Sequence, residues 1–332
     1  VTDDGGGRRA MIEHGPDRRV PPTATADDDL AGVFEERRRL LAIGYRMLGT
    51  LAEAEDAVQE TYVRWYRMTD AERAAVRNPA GWLTRVMGRV CLDVLGSARA
   101  RRERYVGEWL PEPVPADLFA GVPGATAPAL PPGGGDPLDR VTLDEEVSTA
   151  LLVVMESMTP AERVAFVLHD VFAVPFDEVA AVVGRTPAAV RQLATSARRR
   201  VRERGAVPAG GTREHDTVLA AFAAACAGGD IDALTALLDP SVTLRSDGGG
   251  LVSAARRPVL GVEHVARFVL GVLRKQATAT LVPRRTGDGL AFALVTEDGV
   301  RGVVNARVLD GRIVDLWLQV NPEKLGAWHG GR

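Results

Sequence analysis

The sequence predicts a multidomain chain: two all-α helical modules, the second built around a helix-turn-helix, followed by an α+β cone. Three observations predict it. Between residues 34 and 204 apolar side chains recur at three- and four-residue steps in several separate segments. Within 159–204 two such segments meet at a short glycine turn, and the second carries arginines on its outer side. Beyond residue 213 helical stretches give way to alternating apolar runs separated by Asp-Gly turns. The chain of 332 residues is also too long for one small domain.

Residues 1–29 mix glycines, prolines and charges without apolar periodicity, which predicts a disordered N-terminal tail. The first module spans 30–104. Phe34, Leu41, Tyr45 and Leu48 form one stripe. In AEAEDAVQETYVRWY, Ala54, Val58, Tyr62 and Trp65 share a buried face. Asp56, Gln59, Glu60 and Val63 form a neighbouring, mostly polar and acidic stripe, which suits either a solvated surface or a docking face for a basic partner. Asn78 and Pro79 open a third helix with Trp82, Val86, Val90 and Leu95 inward. Arg85, Arg89, Arg99, Arg101, Arg102 and Arg104 give this helix and its tail a basic edge. Arginine neutralises phosphates and aromatic faces accept unstacked bases, so Trp82 fits a base platform as well as a core position.

The second module spans 141–205. Thr159, Pro160 and Glu162 read as a helix start, with threonine as cap and proline at the first helical position. A short helix follows from Phe176 to Val183, ended by Gly184, which tolerates the left-handed turn conformation. Thr186 then caps a helix with Pro187 at its first position and Val190, Leu193, Ala197 and Val201 as its buried stripe. Arg185, Thr186, Arg191, Gln192, Thr195, Arg198, Arg199 and Arg202 lie at the turn or on the other face. Between Pro175 and Arg204 seven arginines stand against three acids on a chain of net charge -3. That local excess, on the second helix of a helix-turn-helix, points to DNA rather than to a plain solvated face.

A Pro- and Gly-rich linker covers 105–140 and cannot continue a helix. Its Trp109, Leu110 and Phe119 are costly to leave in water, so its first part is expected to rest on an apolar surface. A short joint at 206–213 leads to the third module, 214–332. Helices are expected at 214–227, 231–238 and 261–275, and strands at 278–285, 290–296, 302–309 and 313–320. Helices first and an antiparallel sheet later define an α+β cone of the SnoaL/NTF2-like kind. Such a cone can hold a small-molecule ligand or an active site, and Asp247, His264 and Asp315 are its acid–base candidates. Spacing alone does not bring them together, and Glu323 and Lys324 read as exposed.

Composition excludes several classes. Two cysteines, Cys91 and Cys226, cannot make a disulfide framework and sit among apolar neighbours, which predicts buried thiols in a reducing compartment. No metal site is expected, because no His or Cys pair has ligand spacing. The GGG runs at 133–135 and 248–250 lack the strand-to-helix context of a phosphate loop, so no cofactor is expected. No apolar run reaches the ~20 residues of a membrane span, and the N-terminus lacks a signal-like core, which together predict a cytoplasmic protein.

Several segments resemble known proteins. EDAVQETYVRWY, NPAGWLTRV and RVCLDVL resemble the second conserved region of bacterial RNA polymerase sigma factors, and TPAERVAFVLHDVFAVPFDEVAAVVGRTPAAVRQLA resembles their fourth. With no third region between them, the chain is similar to the extracytoplasmic-function group. YVGEWLPEPV at 105–114, DGGG at 247–250 and NPEKL at 321–325 resemble the sigma-J-like branch with a fused SnoaL-like C-terminal domain. Three positions depart from that pattern: Gly96 replaces a common basic residue, NPEKL stands for the commoner NPDKL, and Leu251 replaces a lysine of some members.

The resemblance implies a non-enzymatic factor that binds core RNA polymerase, at the clamp region of its largest subunit and at its flap region, and promoter DNA. Asp56, Gln59, Glu60 and Val63 would face polymerase. Trp82, Arg85, Arg89, Arg99, Arg101 and Arg102 would work at the downstream (-10) element, and Arg185, Thr186, Arg191, Gln192, Thr195, Arg198 and Arg199 at the upstream (-35) element. Trp109, Leu110, Pro111, Glu112 and Pro113, with Asp247, Gly248, Gly249, Gly250, Asn321, Pro322, Glu323, Lys324 and Leu325, would be regulatory, requiring no separate anti-sigma factor. Without the resemblance, the same residues also fit a one-component helix-turn-helix regulator with a ligand-binding cone.

Overall fold

The structure, a computed structural model, describes residues 1, 26–102, 105–120, 122, 148–203, 212–276 and 278–329; the side chains of 26–35, 98–102 and 212 lie outside the description. The first module comprises α1 (Ala26–Leu48), α2 (Leu51–Tyr66), α3 (Asp70–Ala75) and α4 (Pro79–Arg102). Helix α1 begins inside the stretch expected to be tail, and α3 was not expected. Each start has a local cause: Thr50 accepts the Glu53 N–H, Thr69 and Glu72 form a reciprocal capping box, and Asn78 accepts the Gly81 N–H at 2.9 Å.

The second module comprises α5 (Thr149–Met155), α6 (Pro160–Ala165), α7 (Phe176–Val183) and α8 (Pro187–Glu203). Thr159 and Glu162 form the capping box of α6, and α7 stops at Gly184. Helix α6 runs into an unforeseen π-helical turn, Phe166–Val171. On α8 the buried residues are Val190, Ala194, Ala197 and Val201, with Leu193 half-buried.

The two modules do not stand apart. Leu40, Ile43 and Met87 of the first share one hydrophobic cluster with Phe166, Leu168 and Val182 of the second. Gly88 of α4 makes this possible, because a Cβ there would lie 3.0 Å from Leu168 and 3.1 Å from Val182. Two buried arginines cross the seam. Arg163 donates to the Met47 carbonyl at the end of α1 (2.9 Å) and to Glu156 (2.7 Å). Arg46 lies over the rings of Phe119 and Phe172, at 5.6 and 5.4 Å. Burial brings both guanidinium groups down to about 10.

The cone comprises α9 (Thr212–Gly228), α10 (Ile231–Leu237), β1 (Leu238–Asp247), β2 (Val259–Leu260), α11 (Val262–Lys275), β3 (Thr280–Thr286), β4 (Gly289–Thr296), β5 (Gly299–Leu309) and β6 (Arg312–Gln319). The sheet order is β2-β1-β6-β5-β4-β3, with β1 parallel to β6 and all other pairs antiparallel. The sheet is therefore mixed, and β1 and β2 join the four expected strands. Phe222, Leu219, Val265 and Leu270 of the helices bury against Leu244, Phe292 and Leu316 of the sheet. Cys91 and Cys226 are buried free thiols, as expected; burial pushes Cys226 up to about 12 and Cys91 higher still. No helix among the described residues is long and apolar enough to cross a membrane.

Candidate nucleic-acid interface and the strap node

Helix α8 presents Arg191, Gln192, Thr195 and Arg199 in exposed positions, with Arg185 and Thr186 exposed at its lead-in. Thr186 accepts the Ala189 N–H at 3.3 Å, so it caps the helix as well. Arg198 differs from the expectation of a leading DNA contact. Its Nε lies 2.6 Å from Asp170 and its side chain is 20% exposed, so it is held in an ion pair against the module.

On α4, Arg85 and Arg89 are exposed. Arg89 nevertheless donates to the Val182 carbonyl at 2.8 Å, in the last turn of α7, where a helix end favours a cation. A side chain expected at the downstream element is thus engaged by the other DNA-reading module. Trp82 is half-buried and meets Trp65 edge-on at 5.1 Å, the core alternative for this residue. The side chains of Arg99, Arg101 and Arg102 fall outside the described residues. Asp56, Gln59 and Val63 are exposed on α2, and Glu60 pairs with Arg64 at 2.8 Å.

The three motifs outside the DNA-reading helices converge on one point. The pairing of β1 with β6 places Asp247 opposite Gln319, so the strand end carrying 247–250 lies beside the one leading into 321–325. Asp247 is fully buried and accepts five donors: Tyr105 Oη at 2.6 Å, the Gly249 N–H at 3.0 Å, the Leu110 N–H at 2.9 Å, Gln319 Nε2 at 3.3 Å and Lys324 Nζ at 2.8 Å. Lys324 also donates to the Leu110 carbonyl at 2.6 Å and lies over the rings of Trp109 (4.2 Å) and Tyr105 (5.1 Å). The expectation of an exposed Lys324 is overturned: it is 6% exposed, because an ammonium can be buried where a carboxylate and a carbonyl answer it. Glu323 is exposed as expected. Desolvation, followed by the bond to Asp247, pushes the Tyr105 phenol well above its ordinary range.

Gly249 has φ +63°, and a Cβ there would come within 2.5 Å of the Asn321 amide, which itself donates to Tyr105 at 3.0 Å. Only glycine fits that contact. Leu325 is buried, and Pro322 opens the short turn between them.

The strap so held reaches both helical modules. Leu110 packs with Trp317 of the sheet and Ala150 of α5. Pro111 is buried and its carbonyl lies 3.3 Å from Gln319 Nε2, while the Pro113 carbonyl accepts Trp328 Nε1 at 2.8 Å. Glu112 points the other way. Its carboxylate accepts the Leu51 N–H at the start of α2 (2.7 Å), its N–H donates to Gly49 and its carbonyl accepts Tyr45 Oη. Burial pushes the Glu112 carboxyl up, against the pull of the Leu51 N–H and Lys324. Leu110 and Phe119 have the apolar seats expected of them, whereas half-buried Trp109 lies between the Lys324 ammonium and Gly49.

The cone also grips α5 directly. Asp288, at the β3–β4 turn, accepts the Thr149 N–H at 2.8 Å and the Ala150 N–H at 3.3 Å, and Asn305 donates to Thr149 Oγ1 at 2.6 Å. Sequence reasoning missed this latch. The turn was legible as Gly-Asp-Gly, but not that its aspartate caps a helix of another module.

The acid–base candidates each have a different partner: Asp247 with Lys324, Asp315 with Arg307 at 2.6 Å, and exposed His264 with the Leu260 carbonyl. One cavity within the cone encloses about 30 Å³ and is lined by apolar residues, among them Phe222, Leu244, Leu294 and Leu316; a more open groove of about 730 Å³ adjoins it at Cys226, Leu273 and Leu281. Among the described residues no group of three or more His, Cys, Asp or Glu could hold a metal ion.

A helix-turn-helix module with exposed arginines, a second helical module packed against it and a fused cone define a modular DNA-binding transcription protein. Family models for Sigma-70 region 2 and Sigma-70, region 4 match residues 33–102 and 148–201. The chain is 40% identical to the ECF RNA polymerase sigma factor SigJ of Mycobacterium tuberculosis, over 87% of this chain and 90% of the relative. It is 34% identical to the probable ECF RNA polymerase sigma factor SigI of that organism, over 87% and 92%. The crystal structure of M. tuberculosis SigJ superposes with a TM-score of 0.66 at 34% identity, over 90% of this chain and 98% of that one. The chain belongs to the extracytoplasmic-function RNA polymerase sigma factors, which bind core polymerase and promoter DNA.

Proposed function

We propose that the cone sets the separation of the two promoter-reading modules by holding the strap at 105–114, in place of a separate anti-sigma protein. One observation carries this reading: Asp247 and Lys324 clasp Leu110, while Glu112, two residues further on, caps α2. The positions that name the two promoter elements, -35 and -10, differ by about 25 base pairs, roughly 85 Å of duplex at ~3.4 Å per step. Arg89 and Val182 are 2.8 Å apart, and the longest helix, α4, has 24 residues and a length of about 36 Å. Reading both elements at once therefore requires α4 and α7 to part and the strap to extend.

In the engaged state Asp56, Gln59, Glu60 and Val63 face the clamp region of the polymerase, and the second module sits by the flap. Arg85 and a released Arg89, with Arg99, Arg101 and Arg102, serve the downstream element. Arg185, Thr186, Arg191, Gln192, Thr195 and Arg199 serve the upstream one. A ligand of ordinary size needs a cavity of ~300 Å³ or more, which the apolar cavity of about 30 Å³ is too small to supply but the adjoining, more open groove of about 730 Å³ beside Ala223, Leu270 and Thr280 would. The test is in vitro transcription with core polymerase and this chain as sole specificity factor, compared with chains truncated after Arg204 and after Trp317. Both truncations should change promoter output, and unchanged output from both would reject the reading.

A further inference from the structure

The π-helical turn Phe166–Val171 has no part in the roles assigned above. Such turns recur at functional sites, because they re-aim the side chains they carry. Here the turn packs against α8 and supplies two consecutive residues, His169 and Asp170. Asp170 holds Arg198 at 2.6 Å. The His169 Nδ1 lies 2.9 Å from the Val174 carbonyl. A carbonyl can only accept, so Nδ1 carries the proton and the ring plane is fixed. That ring stacks on Phe176, with centroids 3.6 Å apart and planes 27° from parallel. On Phe176 lies Arg191, its Cζ 5.1 Å from the ring centroid.

Arg191 and Arg198 are two turns apart on one side of α8. One end of the π-helical turn therefore ties down the second arginine while its neighbour seats the first. A guanidinium lying on an aromatic face keeps its in-plane N–H donors available, and it loses rotamer freedom before DNA arrives. Those paired donors match the O6 and N7 acceptors of guanine in the major groove.

We propose that Phe176, seated on His169, is a positioning residue that presents Arg191 to a guanine of the upstream promoter element. The proposal rests on the reading of Arg191 as a base contact of α8. The test uses the full chain with core polymerase, transcribing a template library randomised across the upstream element, with the transcripts sequenced. Arg191→Ala should abolish a guanine preference at one position; if no position changes, the base contact and the proposal fall together. Phe176→Leu should lower that same preference about threefold, the worth of an exposed cation–π contact, and Phe176→Tyr should restore it. An unchanged preference in Phe176→Leu, where Arg191→Ala has its effect, overturns the positioning role alone. A loss spread evenly over all positions, or one that Phe176→Tyr does not rescue, also overturns it, because damage to the module would act that way.

Discussion

At the scale of single residues, a buried ammonium persists only where its donors are answered. Lys324 and Asp247 have side chains 7% and 0% exposed, and each is also bonded to the strap. Removing one partner strands the other's charge away from water. Lys324→Ala should therefore destabilise the chain by about 3–5 kcal/mol in thermal or denaturant unfolding. Adding Asp247→Asn to that variant should recover part of the loss, because the stranded charge is gone. This pair was invisible in sequence for a physical reason. A lysine in a polar NPEKL segment ordinarily faces water, and the carboxylate that buries it comes from a distant strand through the parallel β1–β6 pairing. Arg198 shows the same limit: its helical face was legible, its Asp170 partner was not.

Elements were legible where their causes are local. The pair α7 and α8, joined at Gly184, follows from a threonine cap, a proline and apolar spacing within thirty residues. Strand β1 was not legible: Asp239, Pro240 and Ser241 break its alternation, and its register is imposed by β6. The start of α5 has both kinds of cause: Ser148 caps it locally through the Leu151 N–H, and Asp288 of the cone takes the Thr149 and Ala150 N–H groups. Asp288→Ala should cost about 1 kcal/mol, as loss of a helix cap does. Loss of water around Asp288 pushes its carboxyl above the ordinary range, with the Thr149 and Ala150 groups and His215 pulling it down. A carboxyl raised in the folded state contributes stability that is fully present below its unfolded value of ~3.9 and is lost as pH rises through the raised value. The melting-temperature gap between wild type and Asp288→Ala should therefore narrow as the pH is raised.

At the scale of the whole molecule, the two helical modules share one hydrophobic cluster, and a strap ties both to the cone. The amides of Leu110 and Glu112 are both hydrogen-bonded in this closed arrangement. In hydrogen exchange they should be protected in the free chain and should exchange faster once core polymerase is bound; equal protection in both states would contradict an extended strap. The fold classes of all three modules were legible from periodicity and turns. Their mutual arrangement was not, because it depends on contacts such as Arg163 with Met47, between residues far apart in sequence.

The clasp on the strap is finished by Gln319, Lys324 and Trp328, which follow every DNA-reading residue in chain order. A ribosome therefore completes both promoter readers before it makes the residues that close the clasp on the strap. Each nascent chain passes through an interval in which the readers are whole and unclasped. Proteolytic loss of those few late residues would remove the Gln319, Lys324 and Trp328 bonds to the strap from a mature molecule.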